Sequence, residues 1–337
     1  MTLSRALHTR RYPPVLPSRH LEVVTAARYP AAMTARILAG TCSWADKTLV
    51  DCGRFYPPAL KTPEERLRFY ARQFPLVEVD SSYYGLPAER NAALWVERTP
   101  AEFMFDVKAF RLLTQHPTPP SALPKDLRES LPKALQEKKN LYPKDLPSEL
   151  TAEVWKRFES ALLPLDSAGK LGVIVFQFPP WFLPGRESSA YLVEAKERLP
   201  QYRVAIEFRN GRWLSDRNAG RTIELLRAHD MPLVCVDEPQ GFENSVPPLA
   251  EAMSDIALVR FHGRNTATWA KPGISPAERF DWLYSEGELK EWLPRIDRLA
   301  AETKEVHLLM NNCREDKAIA GARQLALLLH LPERATT

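Results

Sequence analysis

Charged side chains occur at alternate positions near the ends of several apolar segments. Glu207 and Arg209 end the segment YRVAIEFR. Arg260 and His262 end IALVRFH, and Lys108 ends FMFDVK. Burial and neighbouring charge can bring a glutamate or a histidine close to neutrality, so Glu207 and His262 are predicted to accept and donate protons. Arg209, Arg260 and Lys108 are predicted to hold a carboxylate or phosphate through charge-assisted hydrogen bonds.

Amide and aromatic side chains at the ends of other segments add groups that could orient a substrate. Side-chain amides both donate and accept hydrogen bonds, and flat aromatic faces suit sugar rings or nucleobases. Packing between loops explains the aromatic residues equally well. The predicted substrate-contacting residues are Lys108, Gln177, Arg209, Arg260, Asn311, Asn312, Tyr84, Trp44 and Trp213.

Two other kinds of centre are less well supported by the sequence. A divalent metal held by Glu207, Asp237 and His262 is chemically feasible, but no HExxH or comparable spacing accompanies these residues. Cys42 could act as a nucleophile, although a cysteine in an apolar segment is more often a small buried residue. The sequence contains no CxxC, GxGxxG or GxxxxGK[ST] motif, which disfavours cysteine-rich metal sites and glycine-rich phosphate loops.

Short apolar segments alternate with amphipathic helical patterns from residue 36 onward. Eight units over about 300 residues favour a (β/α)8 TIM barrel, an α/β fold with a parallel eight-stranded sheet, over an open doubly wound sheet. A proline-rich insertion, residues 117–150, follows the third strand and would form a lid or a surface decoration. The strands are predicted at residues 36–44, 76–84, 103–110, 172–179, 202–209, 232–238, 256–263 and 305–312.

The alternation of side chains along a strand predicts which residues face the barrel interior. In the fifth strand Val204, Ile206 and Phe208 form the apolar face toward the helices, which turns Glu207 and Arg209 inward. A purely structural barrel would fill its interior with valine, isoleucine and leucine, so the polar residues late in the strands are predicted to be functional. The other predicted inward residues are Lys108, Asp237, Arg260 and His262, together with Glu78, Asp80 and Asp106, of which Glu78 and Asp106 lie early in their strands and are predicted to be structural.

The composition is that of a globular protein of 337 residues and 38.4 kDa, with 45% hydrophobic and 26% charged residues. No apolar stretch approaches the roughly 18 residues of a membrane span, and no membrane association is predicted. The formal net charge of +4 comes from residues 1–32, which contain five arginines and one acidic residue. Residues 1–35 are therefore predicted to be a disordered or spuriously included extension, followed by one barrel domain at 36–331 and a tail at 332–337. Because the rest of the chain is neutral, a nucleic-acid partner is not favoured. The absence of a CxxC pair favours reduced thiols, so a cytoplasmic location is expected.

A set of motifs in a fixed order resembles the YecE-like family, known as domain of unknown function 72. The motifs are GTCSW, FYPP, VEVDSSYY, FMFDVK, FQFPPWF, EFRNGRW, RFHGR and MNN, and they extend across almost all of residues 36–331. The resemblance implies a TIM barrel similar to those of metal-dependent sugar isomerases and abasic-site endonucleases, but it implies no reaction. Asp80 stands where this family usually has asparagine, and the proline-rich insertion marks a subgroup.

These observations predict an enzyme of the hydrolase or isomerase type. Its substrate would be a phosphorylated, anionic or sugar-like small molecule bound at the carboxyl face of the barrel, and a divalent metal is an optional cofactor. Two alternatives remain open: a nucleic-acid-binding or repair protein related to endonuclease barrels, and a barrel that binds a ligand without turnover.

Overall fold

Eight parallel strands form the centre of the fold in the computed structural model, which describes residues 35–332. The strands follow one another around the sheet in the order β5-β4-β3-β2-β1-β8-β7-β6, and a bridge between Ile206 and Leu233 links its two ends. The sheet is thus a nearly closed (β/α)8 TIM barrel, which confirms the predicted fold over the open sheet. The strands are β1 (Arg36–Cys42), β2 (Leu76–Val79), β3 (Met104–Lys108), β4 (Leu171–Gln177), β5 (Val204–Glu207), β6 (Val234–Asp237), β7 (Ile256–Phe261) and β8 (Glu305–Met310).

Helices surround the barrel and connect its strands. Local signals set their ends: α2, for example, starts at a capping box in which Thr62 and Glu65 bond to each other's backbone, with Pro63 in the first turn. No helix within residues 35–332 is long and apolar enough to cross a membrane. The helices are α1 (Lys47–Asp51), α2 (Pro63–Gln73), α3 (Ser81–Tyr84), α4 (Glu89–Glu97), α5 (Lys125–Ser130), α6 (Lys133–Gln136), α7 (Ser148–Ser167), α8 (Arg186–Glu197), α9 (Ala219–Ala228), α10 (Pro276–Arg279), α11 (Glu286–Lys290), α12 (Leu293–Glu302) and α13 (Lys317–Leu328), with short 3-10 helices at Arg111–Thr114, Pro120–Ala122, Pro143–Asp145 and Gly211–Leu214.

The proline-rich insertion contains α5, α6 and two of the 3-10 helices. An antiparallel bridge between Thr118 and Leu141 closes it, and its Leu123, Leu127 and Leu131 are buried. These leucines belong to the same hydrophobic core as the barrel residues, so the insertion is packed onto the barrel. Residues 1–34 and 333–337, which hold nearly all of the predicted extension and tail, lie outside the described residues.

The register of the strands determines which side chains share the barrel interior. Glu78 of β2 is the partner of Asp106 on β3, and Gln177 of β4 is the partner of Glu207 on β5. Paired residues of parallel strands point to the same side of a sheet, so the predicted inward residues of β2, β3, β5 and β7 do line the interior.

A buried ion pair occupies the amino-terminal end of the interior. His307 Nδ1 lies 2.9 Å from both carboxylate oxygens of Asp106, and its Nε2 lies 3.2 Å from Glu305 Oε1. Burial alone would lower the pKa of His307, but the charges of Asp106 and Glu305 outweigh it and raise the pKa to about 9. Gly172 makes room for this pair, because a Cβ there would lie 2.3 Å from Asp106 Oδ1.

This ion pair predicts a loss of stability in alkaline solution. The folded-state pKa of His307, about 9, lies above the usual histidine value of about 6.5, so its charge stabilises the fold fully below about pH 6.5 and the contribution disappears as the pH rises through 9. We expect the free energy of unfolding, measured by urea denaturation, to fall by roughly 3 kcal/mol over this interval, since one pKa unit corresponds to about 1.4 kcal/mol. The double variant Asp106→Asn/His307→Gln, which removes both charges, should lose this pH dependence.

The exposed His330 provides a matched control, because His330→Gln should leave the wild-type pH dependence unchanged. An NMR titration in which the His307 ring changes charge at or below pH 6.5 would contradict the assignment.

Candidate active site

The guanidinium of Arg260 lies at the centre of a buried polar network near the carboxyl ends of the strands. Its Nη1 donates to Glu207 Oε2, and its Nη2 donates to Glu78 Oε1 at 2.7 Å and lies 3.5 Å from Cys42 Sγ. The side chains of Arg260 and both glutamates are completely buried. Burial, followed by the charge of Glu78, raises the pKa of the Cys42 thiol well above its usual range, which disfavours a nucleophilic thiolate.

The carboxylate of Glu207 accepts hydrogen bonds from four side chains. Its Oε1 accepts from Gln177 Nε2 at 2.7 Å, from His262 Nε2 at 3.1 Å and from Arg209 Nη1 at 3.3 Å, while Oε2 accepts from Arg260. Burial alone would raise the pKa of Glu207, but the charge of Arg260 and the other donors hold it well below the usual range. Glu207 is therefore ionised and a weak base. We call Glu78, Gln177, Glu207, Arg209, Arg260 and His262 the central network.

His262 is held as a neutral imidazole. Burial lowers its pKa to about 4, despite the neighbouring charge of Glu207. Its Nδ1 lies 2.8 Å from Asn311 Nδ2, which can only donate, so we assign the ring proton to Nε2, where it meets Glu207. Both ring nitrogens are thus occupied by protein partners.

Two residues that the sequence analysis did not select complete the network. Glu238 Oε2 accepts from Arg209 Nη1 at 3.1 Å, and burial raises the pKa of Glu238 to about 8. The Arg209 guanidinium also lies over the ring of Trp269, 4.6 Å from its centroid. The alternation could have identified Glu238, since it occupies the next inward position after Val236. Trp269 lies in the loop after β7, where no periodic pattern predicts its direction.

Glu78 and Asp80 form a carboxyl pair at the point where the network opens to solvent. Glu78 Oε2 and Asp80 Oδ1 are buried and accept no hydrogen bond from an N–H or O–H group of the described residues, and each group shifts the pKa of the other. Burial raises the pKa of Glu78 well above its usual range. For Asp80, the charges of Lys108 and Arg260 outweigh burial and lower the pKa. Glu78 is therefore protonated and Asp80 ionised; the side chain of Asp80 is 26% exposed, and its Oδ1 lies 3.5 Å from Lys108 Nζ.

Aromatic side chains surround this opening. Lys108 Nζ lies 5.0 Å from the centroid of the Tyr83 ring, and the rings of Tyr84 and His116 each contact Tyr83 edge-on. Tyr84 and Trp181 are more than half exposed. Burial, followed by the charge of Lys108, lowers the pKa of His116 to about 3, so this ring is neutral.

Asp237 does not join the central network, which corrects the predicted inward position of this residue. The register pairs Val236 with Arg260 and Asp237 with Phe261, so Asp237 faces the helices. There its carboxylate accepts hydrogen bonds from Arg264, Tyr284 and Trp292. The predicted metal site of Glu207, Asp237 and His262 is therefore not assembled, and no group of three or more metal-ligating side chains occurs within residues 35–332.

Three of the predicted substrate-contacting residues also lie elsewhere. Trp44 is buried edge-on against Trp95, and Trp213 stacks on Phe208 with 4.3 Å between the ring centroids. Asn312 is completely buried and donates to the backbone of the loop after β7. These side chains pack the layer between barrel and surrounding segments, which is the alternative that the sequence left open for the tryptophans.

Comparisons with known proteins agree with the fold. The family described as "Protein of unknown function DUF72" matches residues 38–337. The UPF0759 protein YunF of Bacillus subtilis (strain 168) is 32% identical over 299 residues, which cover 88% of this chain and 95% of that protein. A DUF72 family protein from Thermotoga maritima has a crystal structure with a TM-score of 0.68 and 30% identity, covering 88% of this chain and 99% of that one. Another from Enterococcus faecalis has a TM-score of 0.72 and 25% identity, covering 90% and 99%.

Loss of the Arg260 charge is expected to destabilise the protein strongly. Arg260→Met leaves the buried Glu207 carboxylate without its closest cation and Glu78 Oε1 without its donor, and breaking a buried ion pair from one side costs about 3–5 kcal/mol. Urea denaturation at neutral pH measures this loss. Combining Arg260→Met with Glu78→Gln and Glu207→Gln should recover part of it, because no buried carboxylate is then left without its cation.

The partly exposed pair of Arg227 and Glu251 provides the control, since Arg227→Met should cost less than about 1 kcal/mol. A loss for Arg260→Met as small as that of the control would show that Arg260 does not hold the network together.

Proposed function

This chain belongs to the DUF72 family of proteins of unknown function, and from the geometry of its site we propose that it is an acid–base enzyme. The reaction would be of the hydrolase or isomerase type. The substrate would be an anionic or sugar-like small molecule bound at the carboxyl face of the barrel, where TIM-barrel enzymes place their active sites.

The carboxyl pair carries this proposal. Two carboxyl groups that share one proton have widely separated pKa values, so one of them is a base and the other an acid at the same pH. Here Asp80 is the ionised member and reaches solvent, while Glu78 behind it retains the proton. A base that reaches the substrate, with an acid beside it, allows a proton to be removed and returned.

Lys108 gives the pair a third component. Its ammonium lies 3.5 Å from Asp80 Oδ1, and the Lys108 side chain is 14% exposed. Burial alone would lower the pKa of Lys108, but the charge of Asp80 raises it, so the side chain stays protonated. A fixed cation beside a base stabilises negative charge that develops when a proton is removed from a substrate or a water molecule.

The charge balance of the site favours an anionic ligand. Glu78 has a pKa well above the usual carboxyl range and Glu238 has one of about 8, so both are mainly protonated at neutral pH, and His262 is neutral. The cations that remain are Lys108, Arg209 and Arg260, against the carboxylates of Asp80 and Glu207. The excess of positive charge would attract a carboxylate or phosphate, and the exposed rings of Tyr84 and Trp181 would cover an apolar sugar face.

Glu207 and His262, predicted from the sequence to transfer protons, have a different role in this proposal. Both are completely buried, and their acceptor and donor atoms are occupied by protein groups. We assign them to positioning: they hold Arg260 and Arg209 in place and so maintain the field that separates the pKa values of Glu78 and Asp80.

Replacement of Asp80 by asparagine is expected to abolish turnover without unfolding the protein. Asparagine is the residue that the family resemblance places at this position, so the fold should accept it, but its amide cannot take up a proton. Incubation of the wild type with a panel of sugars and sugar phosphates in D2O, followed by proton NMR, detects both product formation and solvent exchange. For any compound that reacts, Asp80→Asn should lower the rate about 10²–10⁴-fold.

The pH profile separates catalysis from a structural role. The wild-type rate should fall in acid as Asp80 becomes protonated and in alkali as Glu78 loses its proton, and Glu78→Gln should remove only the alkaline fall. Asp297→Asn, at an exposed position on α12, is the matched control. Saturable binding of a panel compound without exchange or turnover would instead identify a ligand-binding barrel, and full activity of Asp80→Asn would refute the proposed base.

A further inference from the structure

A polar cleft lies outside the central network, between the loops that follow β4 and β5. We propose that this cleft binds the phosphate group of a small phosphorylated molecule. It has a volume of about 610 Å³ and is lined by Arg186, Arg212, Arg217 and Arg221. None of its lining residues belongs to the central network or to the carboxyl pair, so the proposal does not depend on the proposed reaction.

Two of the four arginines lack a partner. The side chains of Arg186 and Arg217 form no hydrogen bond or ion pair with any residue in the described range 35–332. Arg212 forms one exposed ion pair with Glu243 at 3.3 Å, and Arg221 donates to Asn218 Oδ1 at 3.3 Å. Each of the four guanidinium groups therefore keeps donors that can reach an incoming ligand.

The lining carries no carboxylate, and among the described residues Arg212 alone of the four arginines forms an ion pair, with Glu243 outside the lining. The four side chains are exposed, so their positive charges can attract an anion from solution. The guanidinium fork matches the spacing of two phosphate oxygens and binds them through paired charge-assisted hydrogen bonds. A phosphate group satisfies more of these donors than a single carboxylate can.

The floor of the cleft indicates that the phosphate belongs to an organic molecule. Trp213, Leu183, Pro184 and Leu225 line it beside the arginines, and Ser189 adds a hydroxyl group. The volume lies within the range of about 300–1,000 Å³ that small-molecule sites occupy. A phosphate ester can place its charge among the arginines and its carbon skeleton on the apolar side, which a free phosphate ion cannot do.

The indole N–H of Trp213 gives a local readout, because Trp213 lines the cleft and this group donates to the Phe182 carbonyl at 2.7 Å. The full chain with ¹⁵N-labelled tryptophan is titrated with glucose 6-phosphate, inorganic phosphate and glucose, and the Trp213 signal is followed by NMR. We expect a saturable shift with glucose 6-phosphate, a weaker one with phosphate and none with glucose. Arg186→Ala/Arg217→Ala should weaken the binding of glucose 6-phosphate about tenfold or more.

The control variant Arg90→Ala/Lys133→Ala removes the same charge from exposed positions outside the cleft and should bind like the wild type. Absence of a saturable Trp213 shift with both phosphate compounds would overturn the proposal, as would equal binding by the cleft and control variants. A single-stranded oligonucleotide that binds more tightly with increasing length, while glucose 6-phosphate does not bind, would also overturn it in favour of a polyanion surface. Retained binding in Asp80→Asn is expected whether or not the proposed reaction is correct.

Discussion

The salt bridges of Arg260 are the contacts on which the rest of the site depends. Desolvating a guanidinium and a carboxylate is expensive, and their mutual attraction offsets this only when the geometry is good and other hydrogen bonds satisfy the remaining donors and acceptors. Arg260 links β7 to β2 and β5 across the interior, and Gln177, Arg209 and His262 satisfy the remaining acceptor of Glu207. Ionic contacts therefore stabilise this part of the barrel interior, which aliphatic side chains fill in a purely structural barrel.

The different protonation states of Glu207, Glu78 and Asp80 follow from this arrangement. Arg260 gives Glu207 a close ion pair and additional donors, so Glu207 remains ionised. Only the Oε1 atom of Glu78 accepts a hydrogen bond from Arg260. Its Oε2 accepts no hydrogen bond from an N–H or O–H group of the described residues. Lys108 stabilises Asp80 as a carboxylate, whereas burial keeps Glu78 protonated. Arg260 thus keeps Glu207 ionised as a structural carboxylate, while Glu78 and Asp80 form the pair that we propose transfers protons.

The sequence predicted the barrel and much of its polar interior, because strand alternation is a strong signal where one face is continuously apolar. The alternation correctly predicted that the side chains of Glu207, Arg209, Arg260 and Lys108 face the barrel interior. The same reasoning was wrong for Asp237, because β6 is apolar on both faces and its phase cannot be read from composition. The tryptophans beyond the strand ends, such as Trp213, follow no period, so their direction depends on loop packing. The opposite pKa shifts of Glu78 and Asp80 depend on burial and on distances between side chains, which a sequence does not contain.

The state of the carboxyl pair is the central claim, and a ¹³C NMR titration of the side-chain carboxyl groups tests it most directly. Glu78→Gln and Asp80→Asn assign the two signals in the full chain. The account predicts two well-separated titration steps, one below and one well above the ordinary carboxyl pKa of about 4. It also predicts that each single variant removes the coupling between the steps. Titration of both groups close to pH 4 in the wild-type protein would contradict a shared proton and, with it, the proposed acid–base function.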